Sequence, residues 1–201
     1  MTDYKDEVLA ALKDVPRFGS LDPDAVEITR LGGLTNLVHL VDTGSERVVV
    51  RIPGAGTEEY IDRAVEAHNA HAAARAGVSA EVIHANAKSG VMITRAIDDI
   101  VTMTPALFAS RSGAPERAGA ALAKLHNSGE TFEFRFELFA MIDDYLKLLS
   151  TKDVSLPEGY HDIVTAAEPV KQLLEDKPTA LAPCHCDPLC ENFLDDGTIM
   201  W

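Results

Sequence analysis

The chain has 201 residues, of which 46% are hydrophobic and 25% are charged, and its formal net charge is −14. This is the composition of an ordinary globular protein, and so acidic a chain is repelled by nucleic acids and anionic lipids. No run approaches the ~18 apolar residues of a membrane span, and no signal-peptide pattern opens the chain, so we expect a cytoplasmic protein.

The first half of the chain is expected to be rich in strands. Residues 1–23 read as a short amphipathic helix followed by a linker. Alternation over residues 26–28 and apolar runs over residues 37–41 and 48–52 then predict three strands, separated by a glycine-rich turn and a polar turn. Two further short strands are expected near residues 81–84 and 91–94.

A helix is predicted between the third and fourth strands. Thr57 is its expected N-cap, and Glu58 and Glu59 suit the first turn, where acidic side chains are favoured. Gly77 suits its end, because glycine readily adopts the left-handed conformation that closes helices.

Beyond residue 100 the pattern becomes helical. Pro115 opens one predicted helix, a second runs near residues 138–149, and a third starts near Pro157, with Pro169 kinking or splitting it. We therefore predict an α+β protein with an N-terminal helix and linker (1–23), a β-rich lobe (24–97) and a helical lobe (98–201), with a site between the lobes.

Two features of the β-rich lobe could hold phosphate. Residues 31–36, Leu-Gly-Gly-Leu-Thr-Asn, let the backbone approach a ligand closely, although a bulged hairpin would look the same and the spacing is not that of a P-loop. Arg51 stands in an apolar strand and needs a partner, for which Glu66 on the next helix is the candidate. The alternative is an edge-strand arginine in water.

The segment His185-Cys186-Asp187, with Asn192 five positions after the aspartate, could carry chemistry. A carboxylate can orient or deprotonate a hydroxyl nucleophile, and an amide oxygen can bind Mg²⁺. A short strand is expected over residues 192–194, directly after this loop, and would fix both side chains in one cleft. A polar surface loop is the alternative interpretation.

Structural zinc is a second interpretation of the same segment, with ligands from Cys184, His185, Cys186 and Cys190. The spacing disfavours it, because zinc sites usually pair their cysteines two residues apart. We expect these cysteines to be reduced, metal-free and packed as small apolar residues beneath a site.

The order of the features is more specific than any one of them. A glycine-rich turn, Arg in the third strand, a helix with Glu, an alanine-rich helix ending Leu-x-x-Leu-His126 and the His-x-Asp-x₄-Asn pattern together resemble the protein-kinase-like small-molecule kinases. The resemblance covers residues 24–201. The stretches VVVRIPG and HCDPLCENFLD look most like the choline/ethanolamine kinases, whereas aminoglycoside phosphotransferases typically have Gly where Cys186 stands.

The resemblance implies an activity and a set of site residues. The activity would be transfer of the ATP γ-phosphoryl group to choline or a similar small amino alcohol; the alternatives are an aminoglycoside-type phosphotransferase and an inactive nucleotide-binding relative. Asp187 would be the base and Asn192 a Mg²⁺ ligand. The residues implied to contact ATP are Gly32, Gly33, Thr35, Asn36, Arg51, Glu66, Thr94, Arg95 and Ile97.

One part of the family pattern is missing. A second metal-binding Asp usually follows the turn at Asp196-Gly197, in an Ile-x-Asp-x-Glu strand, and Ile199-Met-Trp201 resembles the start of that strand. We therefore expect the 201 residues to be an incomplete version of a longer chain, inactive alone, with the aromatic cage for a quaternary ammonium largely outside it.

Overall fold

The computed structural model describes residues 4–32, 36–57, 61–152, 154–177 and 180–201. It divides into two compact units, residues 1–133 with 183–201, and residues 134–182. The helices are α1 (Tyr4–Lys13), α2 (Arg63–Arg75), α3 (Pro105–Ser110), α4 (Ala114–His126), α5 (Leu138–Ser150) and α6 (Tyr160–Asp176). The strands are β1 (Glu27–Gly32), β2 (Asn36–Asp42), β3 (Arg47–Pro53), β4 (Val82–Ala85), β5 (Met92–Arg95), β6 (Val101–Thr102) and β7 (Leu194–Asp195).

The first unit is built on an antiparallel sheet in the order β1-β2-β3-β5-β4. Val48 and Val50 alternate along β3 to the same face, where they are fully buried with Val41 of β2. Helix α1 packs Val8 and Leu12 into this same core. The predicted strands are confirmed, and the N-terminal helix contributes to the core of the sheet.

Gly32 produces a bulge where the sequence predicts a break between strands. The β1–β2 register shifts between Arg30 and Gly32, and Gly32 has φ +133°, a conformation that side chains rarely adopt. Strand β2 resumes at Asn36. The turn residues between Gly32 and Asn36 lie outside the described part of the chain.

Helix α2 begins later than the sequence predicts. Asp62, and not Thr57, is its N-cap: the Asp62 carboxylate accepts hydrogen bonds from two backbone N–H groups of the first turn, at 2.9 and 3.1 Å. The Thr57 hydroxyl instead donates to the carbonyl three residues before it, which closes a turn. Glu58 and Glu59 lie outside the described residues, and Gly77 closes the helix with φ +69°, as predicted.

A second hydrophobic cluster forms around the end of the chain. Met103, Ala114, Phe193 and Met200 are its buried members, together with Ala118 of α4. Short strands β6 and β7 pair antiparallel, and the Met103 N–H donates to the Phe193 carbonyl at 2.9 Å. This cluster fastens the segment after the His-x-Asp-x₄-Asn pattern to α3 and α4.

The predicted hairpin near the end of the chain is present, but its first strand is shifted. The sequence predicts a strand over residues 192–194, whereas a 3₁₀ turn covers Cys190–Asn192 and β7 starts at Leu194. The turn tightens the backbone because Asn192 N–H donates to the Leu189 carbonyl. Trp201 exchanges two backbone hydrogen bonds with Leu194, at 2.9 and 3.0 Å, and thereby forms the returning side.

The second unit consists mainly of α5 and α6. Pro169 lies inside α6 without dividing it, so of the two effects predicted for this proline the split is wrong. Lys171 Nζ lies 3.5 Å from Asp143 Oδ2 and joins the two helices. Of the helices in the described residues, none combines the length and apolar character needed to cross a membrane.

Candidate active site

Arg51 and Glu66 form the ion pair that the sequence predicts. Arg51 Nη2 lies 2.8 Å from Glu66 Oε1, and both side chains are largely shielded from solvent. Strand β3 is the central strand of the sheet, with Arg51 paired between Val38 and Met92, so the alternative of an edge-strand arginine is wrong. The first turn of α2 therefore places a carboxylate beside a cation in the middle of the sheet.

The Arg51 guanidinium keeps unused hydrogen-bonding capacity. Its Nε and Nη2 atoms are buried, and within the described residues they make no hydrogen bond. The contact with Glu66 is close, but its angle is not that of a hydrogen bond, so the attraction is Coulombic. Buried donors without acceptors are costly. Anionic oxygens, such as those of a phosphate group, would satisfy them.

Arg63 is a site residue that the sequence analysis missed. Its side chain is only 8% exposed, its Nη1 donates to Glu66 Oε2 at 2.9 Å, and its Nη2 donates to the Thr57 hydroxyl. The i,i+3 spacing of Arg63 and Glu66 on a helix is the signal that could have found it. Glu66 thus holds one guanidinium on each carboxylate oxygen.

The flanks of the glycine-rich turn lie at the ends of two adjacent strands. Gly32 ends β1 and Asn36 begins β2, while Gly33 and Thr35 lie outside the described residues. Strand β2 pairs directly with β3, and its Val38 faces Arg51 in the ladder. Strand β2 therefore begins two residues before Val38, the position that pairs with the arginine.

The expected adenine-binding segment lies at the end of β5. Thr94 pairs with the neighbouring strands, and the Ala96 N–H donates to the backbone of β3. The Arg95 side chain is directed elsewhere: its Nε donates to Glu81 at 2.8 Å, and this hydrogen bond raises the arginine pKa above its usual value. Ile97 follows, half-buried, just beyond the strand.

The structure brings Asp187 and Asn192 together. The Asn192 amide NH₂ donates to the Asp187 carbonyl at 2.9 Å and to its carboxylate Oδ2 at 3.2 Å. These bonds use the nitrogen of the amide, so its oxygen is the atom that can ligate a cation. An amide oxygen next to a carboxylate is a donor set that suits Mg²⁺.

The start of this loop is held by His185 and strained at Cys186. The His185 ring stacks on Phe193, with centroids 6.4 Å apart, and its Nδ1 accepts the Asp187 N–H at 3.2 Å. Cys186 has φ +63°, which is uncommon for a residue other than glycine. Strain of this kind is typical of functional loops.

The cysteines do not pack beneath the site as the sequence predicts. Cys184 and Cys186 are exposed and Cys190 is half-buried, in a loop whose backbone is left-handed at Cys186. Although the residue is exposed, partial desolvation of its thiol raises the pKa of Cys186, with a smaller contribution from Cys184. Within the part of the chain that the structure describes, no group of three or more His, Cys, Asp or Glu side chains is placed to hold a metal.

Asp195, three residues after Asn192, anchors the end of the loop and was not predicted. Its fully buried carboxylate accepts hydrogen bonds from Arg117 (2.6 and 2.7 Å), Arg111 (2.5 Å) and the Gly197 N–H (3.2 Å). The Arg117 hydrogen bonds, helped by Arg111, hold the Asp195 pKa well below its usual range in spite of burial. The loop is therefore tied to α4 and to the end of α3 through a charged cluster.

Comparison with known proteins identifies relatives of this chain. Residues 27–200 match the model of the phosphotransferase enzyme family. A choline/ethanolamine kinase family protein from Mesorhizobium loti is 52% identical with a TM-score of 0.81, over 98% of this chain and 62% of that one. Protein LicA of Haemophilus influenzae is 31% identical over 179 residues, which are 88% of this chain and 52% of that protein.

A more distant solved structure shares the fold. Choline kinase LicA from Streptococcus pneumoniae is 21% identical with a TM-score of 0.73, over 97% of this chain and 67% of that one. The α+β, kinase-like fold expected from the sequence is thus confirmed. The chain spans between about half and two thirds of the length of these relatives.

Proposed function

Because the chain belongs to the phosphotransferase enzyme family, we propose that the protein transfers the γ-phosphoryl group of ATP to the hydroxyl of choline or a similar small amino alcohol. The observation that carries the proposal is the Asp187–Asn192 pair, a carboxylate and an amide held together at a strained loop. The choline/ethanolamine kinase family protein at 52% identity supports this acceptor class. The net charge of −14 suits a cationic alcohol.

In this proposal Asp187 is the general base. Its carboxylate accepts the hydroxyl proton as the alcohol oxygen attacks the γ-phosphorus; the new O–P bond forms while the bond to the ADP oxygen breaks. Asn192 orients that carboxylate, and its amide oxygen would hold Mg²⁺. The ion, when bound, would neutralise charge on the phosphates.

The remaining site residues bind the nucleotide in this proposal. Arg51 directs its unsatisfied donors to phosphate oxygens while Glu66 holds it in place. The backbone around Thr94, Arg95 and Ile97 holds adenine. The turn residues that cover the phosphates are Gly32, Gly33, Thr35 and Asn36.

We propose the cytoplasm as the compartment, where cysteines remain reduced. The three thiols beside the site are not joined by disulfides, which suits such a compartment. The acidic charge argues against a nucleic-acid partner.

The test is ADP release by the protein at its natural length, supplied with Mg²⁺, ATP and choline, ethanolamine or kanamycin in turn. We expect turnover with choline or ethanolamine. Asp187→Asn should lower kcat by ~10² or more, as loss of a general base does, without weakening ATP binding. Asp24→Asn, at a side chain that is 96% exposed, is the matched control. Turnover with kanamycin alone would move the protein to the antibiotic-modifying class, and an Asp187→Asn variant of wild-type rate would remove the proposed base.

A further inference from the structure

Three charged side chains meet where β3 leads into α2. Glu66 Oε1 faces Arg51 at 2.8 Å, and Glu66 Oε2 accepts a hydrogen bond from Arg63 at 2.9 Å. A carboxylate can otherwise bind one guanidinium with both oxygens, in the strong bidentate geometry. Here the second oxygen accepts a hydrogen bond from Arg63, which competes with a bidentate pairing of Glu66 with Arg51.

The position of Arg63 is fixed by contacts on several sides. Its Nη2 donates to the Thr57 hydroxyl, which itself donates to the Gly54 carbonyl at 2.7 Å. A Cβ atom at Gly90, in the β4–β5 turn, would lie 2.7 Å from Arg63 Nε and 2.8 Å from its Cδ. The absence of a side chain at Gly90 therefore makes room for the arginine, which connects the end of β3, the β4–β5 turn and the start of α2.

This arrangement has an electrostatic consequence for Arg51. Two arginines around one carboxylate leave a net charge of about +1, and the buried Nε and Nη2 atoms of Arg51 stay without a hydrogen bond among the described residues. Without Arg63, Glu66 could neutralise Arg51 through both oxygens and draw its donors away from a ligand. The second arginine thus keeps the first available to an anion.

Resting on the proposed function, we propose that Arg63 is a positioning residue of the nucleotide site: it occupies Glu66 and Thr57 so that Arg51 presents free donors to the phosphates of ATP. Arg63 acts through Glu66 and does not itself touch the nucleotide. Its loss should therefore weaken nucleotide binding and leave the acceptor alcohol unaffected.

The test measures the Kd of a non-hydrolysable ATP analogue by calorimetry, and the KM values of ATP and choline, for Arg63→Gln. We expect the Kd and the KM of ATP to rise about tenfold or more, since hydrogen bonds between charged groups are lost, with the KM of choline within about twofold. Arg75→Gln is the matched control, because Arg75 lies on the same helix and pairs with Glu130 at the surface, at 2.6 Å. It should change neither constant.

A Glu66→Gln background shows whether Arg63 acts through Glu66. There, Arg63→Gln should add little to the loss of binding, because the residue through which Arg63 acts is already changed. If Arg63→Gln does not fold, Arg63→Lys, which keeps the charge but loses the forked geometry, is judged by the same constants.

A folded Arg63 variant that binds the analogue as tightly as Arg75→Gln would overturn the inference. So would full additivity with Glu66→Gln. Failure of the proposed function appears differently: the wild-type protein would bind the analogue but release no ADP with choline or ethanolamine, and the Kd comparison would still decide the role of Arg63.

Discussion

Replacing the buried carboxylate of Asp195 by the amide of asparagine should destabilise the protein strongly. The side chain has no exposed area and accepts hydrogen bonds from Arg111, Arg117 and Gly197. Asparagine has nearly the same shape, but it removes the negative charge and turns an NH₂ group toward arginine donors. The change therefore isolates electrostatics from packing.

The magnitude follows from the burial of the partners. Removing one member of a buried ion pair costs about 3–5 kcal/mol, because the other charge is left uncompensated. Arg117 and Arg111 have side chains 16% and 32% exposed, so water can partly replace the carboxylate, and we expect about 3 kcal/mol, the lower end of that range. This is a large share of the roughly 5–15 kcal/mol by which domains are stable.

The stability lost in Asp195→Asn should become smaller as the pH falls. The pKa of Asp195 is lower in the folded protein than in the unfolded chain, so its stabilisation is present above the unfolded pKa, about 3.9, and is lost as the pH falls toward the native value. The free energies of unfolding of wild type and Asp195→Asn should therefore differ most near neutral pH and converge in acid.

The assay is urea unfolding followed by tryptophan fluorescence. Trp201 is the single tryptophan of the 201 residues, and its backbone pairs with Leu194, next to Asp195, so it reports on this hairpin. The control is Asp98→Asn, since Asp98 forms an exposed ion pair with Arg47 at 2.6 Å and should cost below ~1 kcal/mol. Equal losses for the two variants, or a loss at Asp195 that persists unchanged in acid, would refute the reasoning.

Two further predictions concern the rest of the site. Arg51→Ala and Glu66→Ala should each weaken ATP binding, because the two residues form one ion pair. The double variant should lose less ATP-binding free energy than the sum of the two single losses. Strict additivity of these free energies would show that the two residues do not act as a pair. Cys186→Gly should raise the melting temperature, because glycine adopts φ +63° without strain. Cys184→Gly is the control and should not raise it. Equal shifts of the melting temperature would mean that the backbone at Cys186 is unstrained.

Local sequence patterns predicted most strands of the sheet, but not the start of α2 or the short helix α3. Short apolar runs rich in valine identify β2 and β3, and Gly77 marks the end of α2, because each signal lies within a few residues. Thr57 was a wrong N-cap because both Thr57 and Asp62 suit that position, and only the turn at residues 54–57 decides between them. Helix α3 was missed because its six residues are too few to show a period.

In the site, too, contacts with a local sequence signal could be predicted, whereas contacts between residues far apart in the sequence could not. The pairing of Arg51 with Glu66 could be predicted, since an unpaired cation in an apolar strand needs an acid nearby. The cluster of Asp195 with Arg111 and Arg117 could not, because these residues are separated by 84 and 78 positions and no periodic pattern connects them. An aspartate within the run Asn192-Phe-Leu-Asp195 was the available signal.

The two halves of the proposed site are held by different parts of the first unit. Arg51 depends on the central strand of the sheet and on α2, through Glu66. Asp187 and Asn192 depend on the segment that Phe193 and Asp195 fasten to β6, α3 and α4. Changes around Arg51 should therefore appear first in the affinity for nucleotide, and changes around Asp195 first in the transfer step. The two effects should be separable because each half of the site has its own buried charges and its own hydrophobic cluster.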